Sequence, residues 1–237
     1  MKKVFLPGGA GLVGINLIAS IKSTNPEWEI IVVDKKKEAI KVAKSLFPDV
    51  YFICEDLTIT DNQKWPLEIK ECNICIMLQA EIGTTDHKLF EINNVISTKV
   101  ILKELKKNYI DRIIHVSSSV VYSKSFDLYT KSKIKQEQMI LKEYPNCVVL
   151  RPTLMFGWFD RKHLGWLANF MLKSPFFPIP GKGDFIRQPL YVGDFCGIIK
   201  SCIKDKSIQG IYSITGLEKI KYIDLMRILR KTKAAKT

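Results

Sequence analysis

Pro7-Gly8-Gly9-Ala10-Gly11-Leu12-Val13-Gly14 decides the fold. It follows a short apolar run at residues 3–6 and opens a helical pattern over roughly residues 12–22. It fits Gly-x-Gly-x-x-Gly through Gly9, Gly11 and Gly14, and Gly-x-x-Gly-x-x-Gly through Gly8, Gly11 and Gly14. Strand, turn and helix in this order form a cradle for a pyrophosphate. A β-carbon in the turn would block close approach, and the helix start offers unpaired N–H groups and a partial positive charge. Leu12 and Val13 carry the first of those groups, and Gly14 lets helix and strand pack closely.

The next segments agree with a dinucleotide site. Residues 29–33 read as a β-branched strand ending in Asp34, twenty positions past Gly14. A carboxylate there can accept both hydroxyls of an adenosine ribose and repels a 2′-phosphate. NAD is therefore favoured over NADP, although Lys35 and its two lysine neighbours leave NADP as the second choice. Asp56-Leu57, just past a third apolar run at 50–54, can reach an adenine edge. Asp56 reads equally as a simple turn residue.

Further along, apolar runs at 74–78, 112–117 and 147–150 alternate with helical patterns at 36–47, 86–107 and 128–143. Strands that are apolar throughout, separated by helices, predict an α/β fold with a Rossmann-type doubly wound parallel sheet. Residues 1–150 read as the NAD-binding domain. Residues 151–237 read as a small, shortened substrate-binding region interleaved with the last sheet elements. Pro and aromatic residues are dense there, including Trp158, Phe159, Trp166, Phe170, Phe176 and Pro175. That pattern suits a substrate lid, a dimer surface or, less well, a membrane-interface segment.

Bulk properties exclude several classes. The chain has 237 residues, is 46% hydrophobic and carries a net charge of +13. It is long enough for a full core, and no apolar stretch is long enough to span a membrane. The N-terminal apolar run breaks at Pro7-Gly8, which reads as a strand and turn rather than a leader, so a cytoplasmic protein is expected. The positive charge is spread over lysines without a nucleic-acid motif, so no nucleic acid partner is expected. Cys72 and Cys75 have CxxC spacing, but no second pair completes a metal site. They read as structural cysteines whose side chains point apart, and no metal is expected.

Tyr129 and Lys133 lie four apart at a helix start, on one face. A phenol is a poor base at neutral pH, and a cation one turn away favours the phenolate. The preceding strand ends in Ser117-Ser118-Ser119, hydroxyls at the carboxyl edge of a parallel sheet, where such folds bind ligands.

The chain resembles the extended short-chain dehydrogenase/reductases, and among them the NAD-dependent nucleotide-sugar epimerase/dehydratase family. The resemblance rests on PGGAGLVG, VVD, EDLT, MLQAE, NNVIST, HVSSSVVYS, YTKSK, LRPTLMFG and GKGDFIRQPLYVGD. It implies that Ser118 is the catalytic serine, Tyr129 the acid/base and Lys133 its activator. It places Leu78, Gln79, Ala80 and Ser117 near the nicotinamide ribose and Pro152 at the nicotinamide. It implies substrate contacts from Asn94, Ser119, Thr153 and Arg187, the last gripping a diphosphate through its rigid fork of donors. The implied function is a nucleotide-sugar 4-epimerase working through a transient 4-keto sugar, as a homodimer. A 4-keto-sugar reductase and a non-catalytic NAD-binding subunit are the alternatives.

The chain departs from the family at three places. Ser119 and Val120 stand where dehydratases carry an Asp-Glu pair, which argues against 4,6-dehydration. Leu154 stands where epimerases often place a pyrophosphate-binding asparagine. The loop between Tyr122 and Tyr129 is short, and little chain follows the helical pattern at 222–229, which implies a more open pocket.

Overall fold

The computed structural model describes residues 2–124, 127–174 and 177–234. Pro175 and Phe176 of the aromatic stretch, and two residues of the short loop before Tyr129, lie outside them. The six apolar runs form strands β1 (Lys3–Pro7), β2 (Glu29–Asp34), β3 (Tyr51–Cys54), β4 (Ile74–Met77), β5 (Arg112–Val116) and β6 (Val148–Pro152). Helices α1 (Leu12–Thr24), α2 (Lys37–Leu46), α3 (Trp65–Glu68), α4 (Lys88–Phe90), α5 (Ser97–Lys107) and α6 (Leu128–Glu143) connect them. Past residue 152 come β7 (Met155–Phe156), α7 (Leu164–Lys173), β8 (Ile186–Arg187), β9 (Leu190–Tyr191), α8 (Val192–Lys204), β10 (Gly210–Ile214), β11 (Ile220–Lys221) and α9 (Tyr222–Ala234).

The main sheet has seven strands in the order β10-β6-β5-β4-β1-β2-β3, all parallel. Strand order reverses at β1, so the crevice between β1 and β4 is where this topology binds ligands. Burial on both faces explains the unbroken apolar runs. Val4, Leu6, Val32 and Ile76 pack on one side with Leu17 and Ile18 of α1 and Phe195 and Ile199 of α8. Phe5, Val33, Met77 and Ile113 pack on the other with Trp65 of α3, Ile101 of α5 and Ile140 of α6. A satellite cluster joins Leu164, Leu167 and Met171 of α7 to Leu225 and Met226 of α9. Trp166 and Phe170 stack on the outer side of α7, with ring centroids 5.5 Å apart. No helix among the described residues is long and apolar enough to cross a membrane.

Several features differ from the sequence expectation, beginning with the helices α7 and α8 in a stretch expected to be irregular. β10 is a seventh strand absent from that expectation. Ile211, Tyr212 and Ser213 are exposed on this edge strand, so the sequence shows no apolar run there. The single helix expected over 86–107 is interrupted by a wide π-type turn at Glu91–Ile96. Such a turn has no residue signature of its own and changes which side chains face inward beyond it. Finally, Cys72 and Cys75 do not point apart. Both bury in the same cluster, because Cys72 ends the turn ahead of β4 rather than lying within the strand. Burial pushes the Cys72 thiol up to about 12 and Cys75 well above its ordinary value, so both behave as core residues. Among the described residues, no cluster of three or more His, Cys, Asp or Glu side chains could hold a metal ion.

The glycine turn is fixed by contact. A β-carbon on Gly14 would lie 2.1 Å from the Gly9 carbonyl oxygen, and one on Gly8 2.5 Å from the Gln79 Cα. Gly8 also has φ +74°, a left-handed conformation that side chains strain. By contrast, a β-carbon on Gly197 of α8 meets nothing within 4 Å. Gly14→Ala should therefore cost more than about 2 kcal/mol of stability. Gly197→Ala should add about 0.5–1 kcal/mol by helix propensity. Urea unfolding of the two variants checks both signs.

Candidate active site

A cleft of about 870 Å³ opens at the carboxyl edge of the sheet, over the β1/β4 crevice. Gly8, Gly11, Leu12, Val13 and Gly14 line its floor. No side chain caps the α1 N-terminus, and its first turn carries no acid, so nothing there competes with an anion. A β-carbon on Gly11 would meet only the Gly8 carbonyl oxygen, at 3.7 Å. This residue is therefore bare on the cleft side, as a pyrophosphate cradle requires.

Asp34, Lys35, Asp56 and Leu57 form one end. Burial raises the Asp34 carboxyl above its usual range, opposed by backbone N–H donors of Lys36, Ala10 and Lys35 and by the Lys36 charge. Its Oδ1 accepts from the Lys36 N–H at 3.0 Å. Lys35 Nζ donates to Asn93 Oδ1 at 2.5 Å and lies 3.6 Å from Asp56 Oδ2. Of the lysines that could hold a 2′-phosphate, Lys35 is thus engaged elsewhere. Asp56 Oδ1 closes a turn by accepting from the Thr58 N–H and hydroxyl at 2.9 and 2.7 Å. Burial raises the Asp56 carboxyl, but the Thr58 bonds and Lys35 outweigh it and leave the group below its usual range. Asp56 is thus a turn residue that also lines the cleft. Glycine cradle, bare helix start and ribose-side carboxylate together fit NAD.

Leu78, Gln79, Ala80, Ser117, Ser118, Ser119, Tyr129, Lys133, Pro152, Thr153 and Arg187 line the other end. Asp127 starts α6 by accepting from the Thr130 N–H at 2.8 Å, which sets Tyr129 in the first turn. The Ser118 hydroxyl favours ionisation of the Tyr129 phenol. Ser118 Oγ in turn accepts from the Val120 N–H at 3.3 Å. Thr153 Oγ1 donates to the Gln188 carbonyl at 2.8 Å. Arg187 is exposed at the mouth, its guanidinium 4.8 Å from the Phe185 ring centroid.

Lys133 is fully buried at the cleft floor. Its Nζ donates to the Val116 carbonyl at 3.2 Å and to Gln136 Oε1 at 2.6 Å. Burial pushes this ammonium down to about 7, with Glu137 opposing. This corrects one expectation. The Tyr129 phenol is raised, not lowered, because burial outweighs the Ser118 hydrogen bond and Asp127 adds to it. The inward ammonium is satisfied by Val116 and Gln136 instead.

Asn94 is the one predicted site residue outside the cleft lining. It is fully buried, accepting from the Glu81 N–H at 2.6 Å and donating to Ser132 Oγ at 2.8 Å. It ties the π-type turn to α6 and to the loop after β4 and does not line the cleft. Its neighbour Asn93 lines the cleft instead.

Residues not singled out by sequence complete the walls: Glu81, Asp160, Arg161, Lys162, His163 and Gln188. The loop at 160–163 wraps on Asp160, whose Oδ1 accepts from the His163 N–H at 3.0 Å and whose Oδ2 accepts from the Gly165 N–H at 2.9 Å. No motif marks this loop. Beneath the site, Ser117 Oγ donates to Glu137 Oε2 at 2.7 Å, and Arg151 forks onto the same carboxylate. Arg151 also donates to the Tyr122 hydroxyl at 2.5 Å.

The model of the NAD dependent epimerase/dehydratase family matches residues 4–214. Among curated proteins, the chain is 24% identical over 242 residues to N-acetyl-alpha-D-glucosaminyl-diphospho-ditrans,octacis-undecaprenol 4-epimerase of Escherichia coli O157:H7, covering 93% of this chain and 67% of that protein. It is 28% identical over 149 residues to NADH dehydrogenase [ubiquinone] 1 alpha subcomplex subunit 9 of Arabidopsis thaliana, covering 62% of this chain and 37% of that protein. The chain spans about half or less of the first curated relatives it matches. Among solved structures, UDP-glucuronic acid 4-epimerase from Bacillus cereus in complex with NAD superimposes with a TM-score of 0.84 at 22% identity, over 98% of this chain and 84% of that one.

The burial of Lys133 carries a pH signature. Its folded-state value of about 7 lies below the unfolded 10.5. Between those values the unfolded chain binds more protons, so stability rises with pH across that window. Wild type should gain on the order of 3 kcal/mol relative to Lys133→Met between pH 7 and pH 9.5. Paired urea unfolding at the two pH values reads the difference directly.

Proposed function

We propose that this chain, which belongs to the NAD-dependent epimerase/dehydratase family, is a nucleotide-sugar 4-epimerase acting through a transient 4-keto sugar. The observation that carries this reading is the meeting of Ser118, Tyr129 and Lys133 in the cleft that holds the glycine turn. NAD, when bound, supplies reversible hydride transfer at a sugar carbon. Gly8, Gly11, Leu12, Val13 and Gly14 would hold its pyrophosphate and Asp34 its adenosine ribose. Leu78, Gln79, Ala80, Ser117 and Pro152 would flank the nicotinamide end.

The chain's own residues handle the proton. Tyr129 Oη takes it from the sugar 4-hydroxyl and returns it, as general base and then general acid. Ser118 Oγ, lining the same cleft, steadies the same oxygen. Because Tyr129 is raised in the free site, its ionisation needs a cation, and Lys133 is the one at the floor. Two N–H donors of Lys133 are engaged, which leaves the third for the cleft. Arg187 at the mouth suits the diphosphate, with Ser119 and Thr153 nearer the sugar. Ser119 and Val120 stand where dehydratases carry an Asp-Glu pair, which favours epimerisation over dehydration. A homodimer is part of this reading and is checked by sedimentation.

A second reading, a non-catalytic Rossmann subunit, draws support from the similarity to the NADH dehydrogenase subunit and from the raised Tyr129 phenol. One variant separates the two. Tyr129→Phe should lower turnover of a UDP-, GDP- or dTDP-sugar by about 10²–10⁴-fold with NAD affinity nearly unchanged. Wild-type turnover should leave nicotinamide absorbance constant, whereas a 4-keto reductase consumes NADH in step with product. Absence of any sugar turnover, with biological function intact in Tyr129→Phe, would favour the non-catalytic subunit.

A further inference from the structure

Lys133 is held by a neutral amide. Gln136 sits three positions on along α6, on the same helix face, and is fully buried. Its Oε1 accepts from Lys133 Nζ at 2.6 Å. Its Nε2 donates to Thr98 Oγ1 at 2.9 Å and approaches the Gln79 carbonyl at 3.5 Å. Thr98 Oγ1 also accepts from Gln79 Nε2 at 3.2 Å and spends its own proton on the Asn94 carbonyl at 2.7 Å. The hydroxyl is thereby committed as an acceptor toward Gln136. The amide must turn its N–H₂ to Thr98 and its oxygen to Lys133, and the flipped amide would set acceptor against acceptor at Thr98 and donor against donor at Lys133.

The surrounding charges sharpen the point. The titratable groups whose charge reaches Lys133 are Glu137 on α6 itself and His115 on β5, and Tyr129 of the same helix lines the same cleft. α5 and the loop after β4 present uncharged Thr98 and Gln79. Glu137 is committed to Arg151 and Ser117. His115 is fully buried and held well below its ordinary value, first by burial and then by Lys133, so it stays neutral. Lys133 therefore has no carboxylate of its own, and its closest partner is the Gln136 oxygen.

We propose that Gln136 is the positioning residue of this site: an amide locked by Thr98 that aims the Lys133 ammonium while withholding a buried counter-charge from it. A carboxylate at the same place would fix the ammonium permanently as a cation, and an apolar side chain would release it. The catalytic consequence rests on the proposed role of Lys133 toward Tyr129. The hold itself does not.

The test is the titration of Lys133 in the protein without cofactor, followed by NMR on ¹³Cε-labelled lysine. The resonance is assigned by its loss in Lys133→Met. In wild type, one lysine should titrate near neutrality, far from the rest. Gln136→Glu should move that midpoint up by one unit or more, and Gln136→Met should move it down. A midpoint that stays in place in either folded variant overturns the proposal. If Gln136→Glu fails to fold, Gln136→Met decides alone by the same criterion, and Gln136→Leu replaces it if needed. Sugar turnover by wild type is scored separately. Its absence counts against the epimerase reading, while an unmoved midpoint counts against Gln136.

Discussion

A lysine shut away from water must find every hydrogen bond inside the protein, and the polar layer under this cleft is built around that requirement. Lys133 takes its acceptors from the end of β5 and from its own helix. Those acceptors bring in Thr98, Gln79 and Asn94, which tie α5, the loop after β4 and the π-type turn to α6. One face of α6, running through Tyr129, Lys133, Gln136 and Glu137, is thus polar yet buried against a parallel sheet. Such a layer is costly unless every member is satisfied. Most of it is, though Gln79 Oε1 and both His115 ring nitrogens lack a partner.

The rest of the cleft follows from topology and glycine. Reversal of strand order at β1 opens the crevice, and the Gly9–Gly14 contact sets α1 close enough to point its start into it. Charges are then sorted along its length. Asp34 marks one end, with Lys35 and Asp56 paired beside it, and Arg187 stands at the mouth. Under the proposed function, this separation suits a dinucleotide and a sugar diphosphate, both of which would bring anionic phosphates into one space.

Sequence disclosed most of this, for physical reasons. Doubly buried strands print unbroken apolar runs, so six strands were legible. β10 was not, because its exposed edge position imposes no such pattern. The glycine spacing, Asp34 and the Tyr129–Lys133 pair were legible because each chemistry fixes a residue type at a fixed offset. What spacing could not convey was direction. Four positions on a helix put Tyr129 and Lys133 on one face, but only the fold shows the ammonium turned inward to Gln136. The same limit exchanged Asn94 for Asn93, since a π-type turn shifts which asparagine faces the cleft. Gln136, three residues past Lys133, was within reach of the same helical spacing, but nothing in the sequence shows that its amide is locked.

The most direct measurement is the fate of a C4 deuterium during turnover of a labelled nucleotide sugar by the NAD-loaded protein. The account predicts an epimerised product that keeps its deuterium at C4, with none in solvent, because a hydride carried by NAD does not exchange with water and would return to the same carbon. Loss of the label to solvent, or no epimer from any sugar by protein that binds NAD, would contradict it.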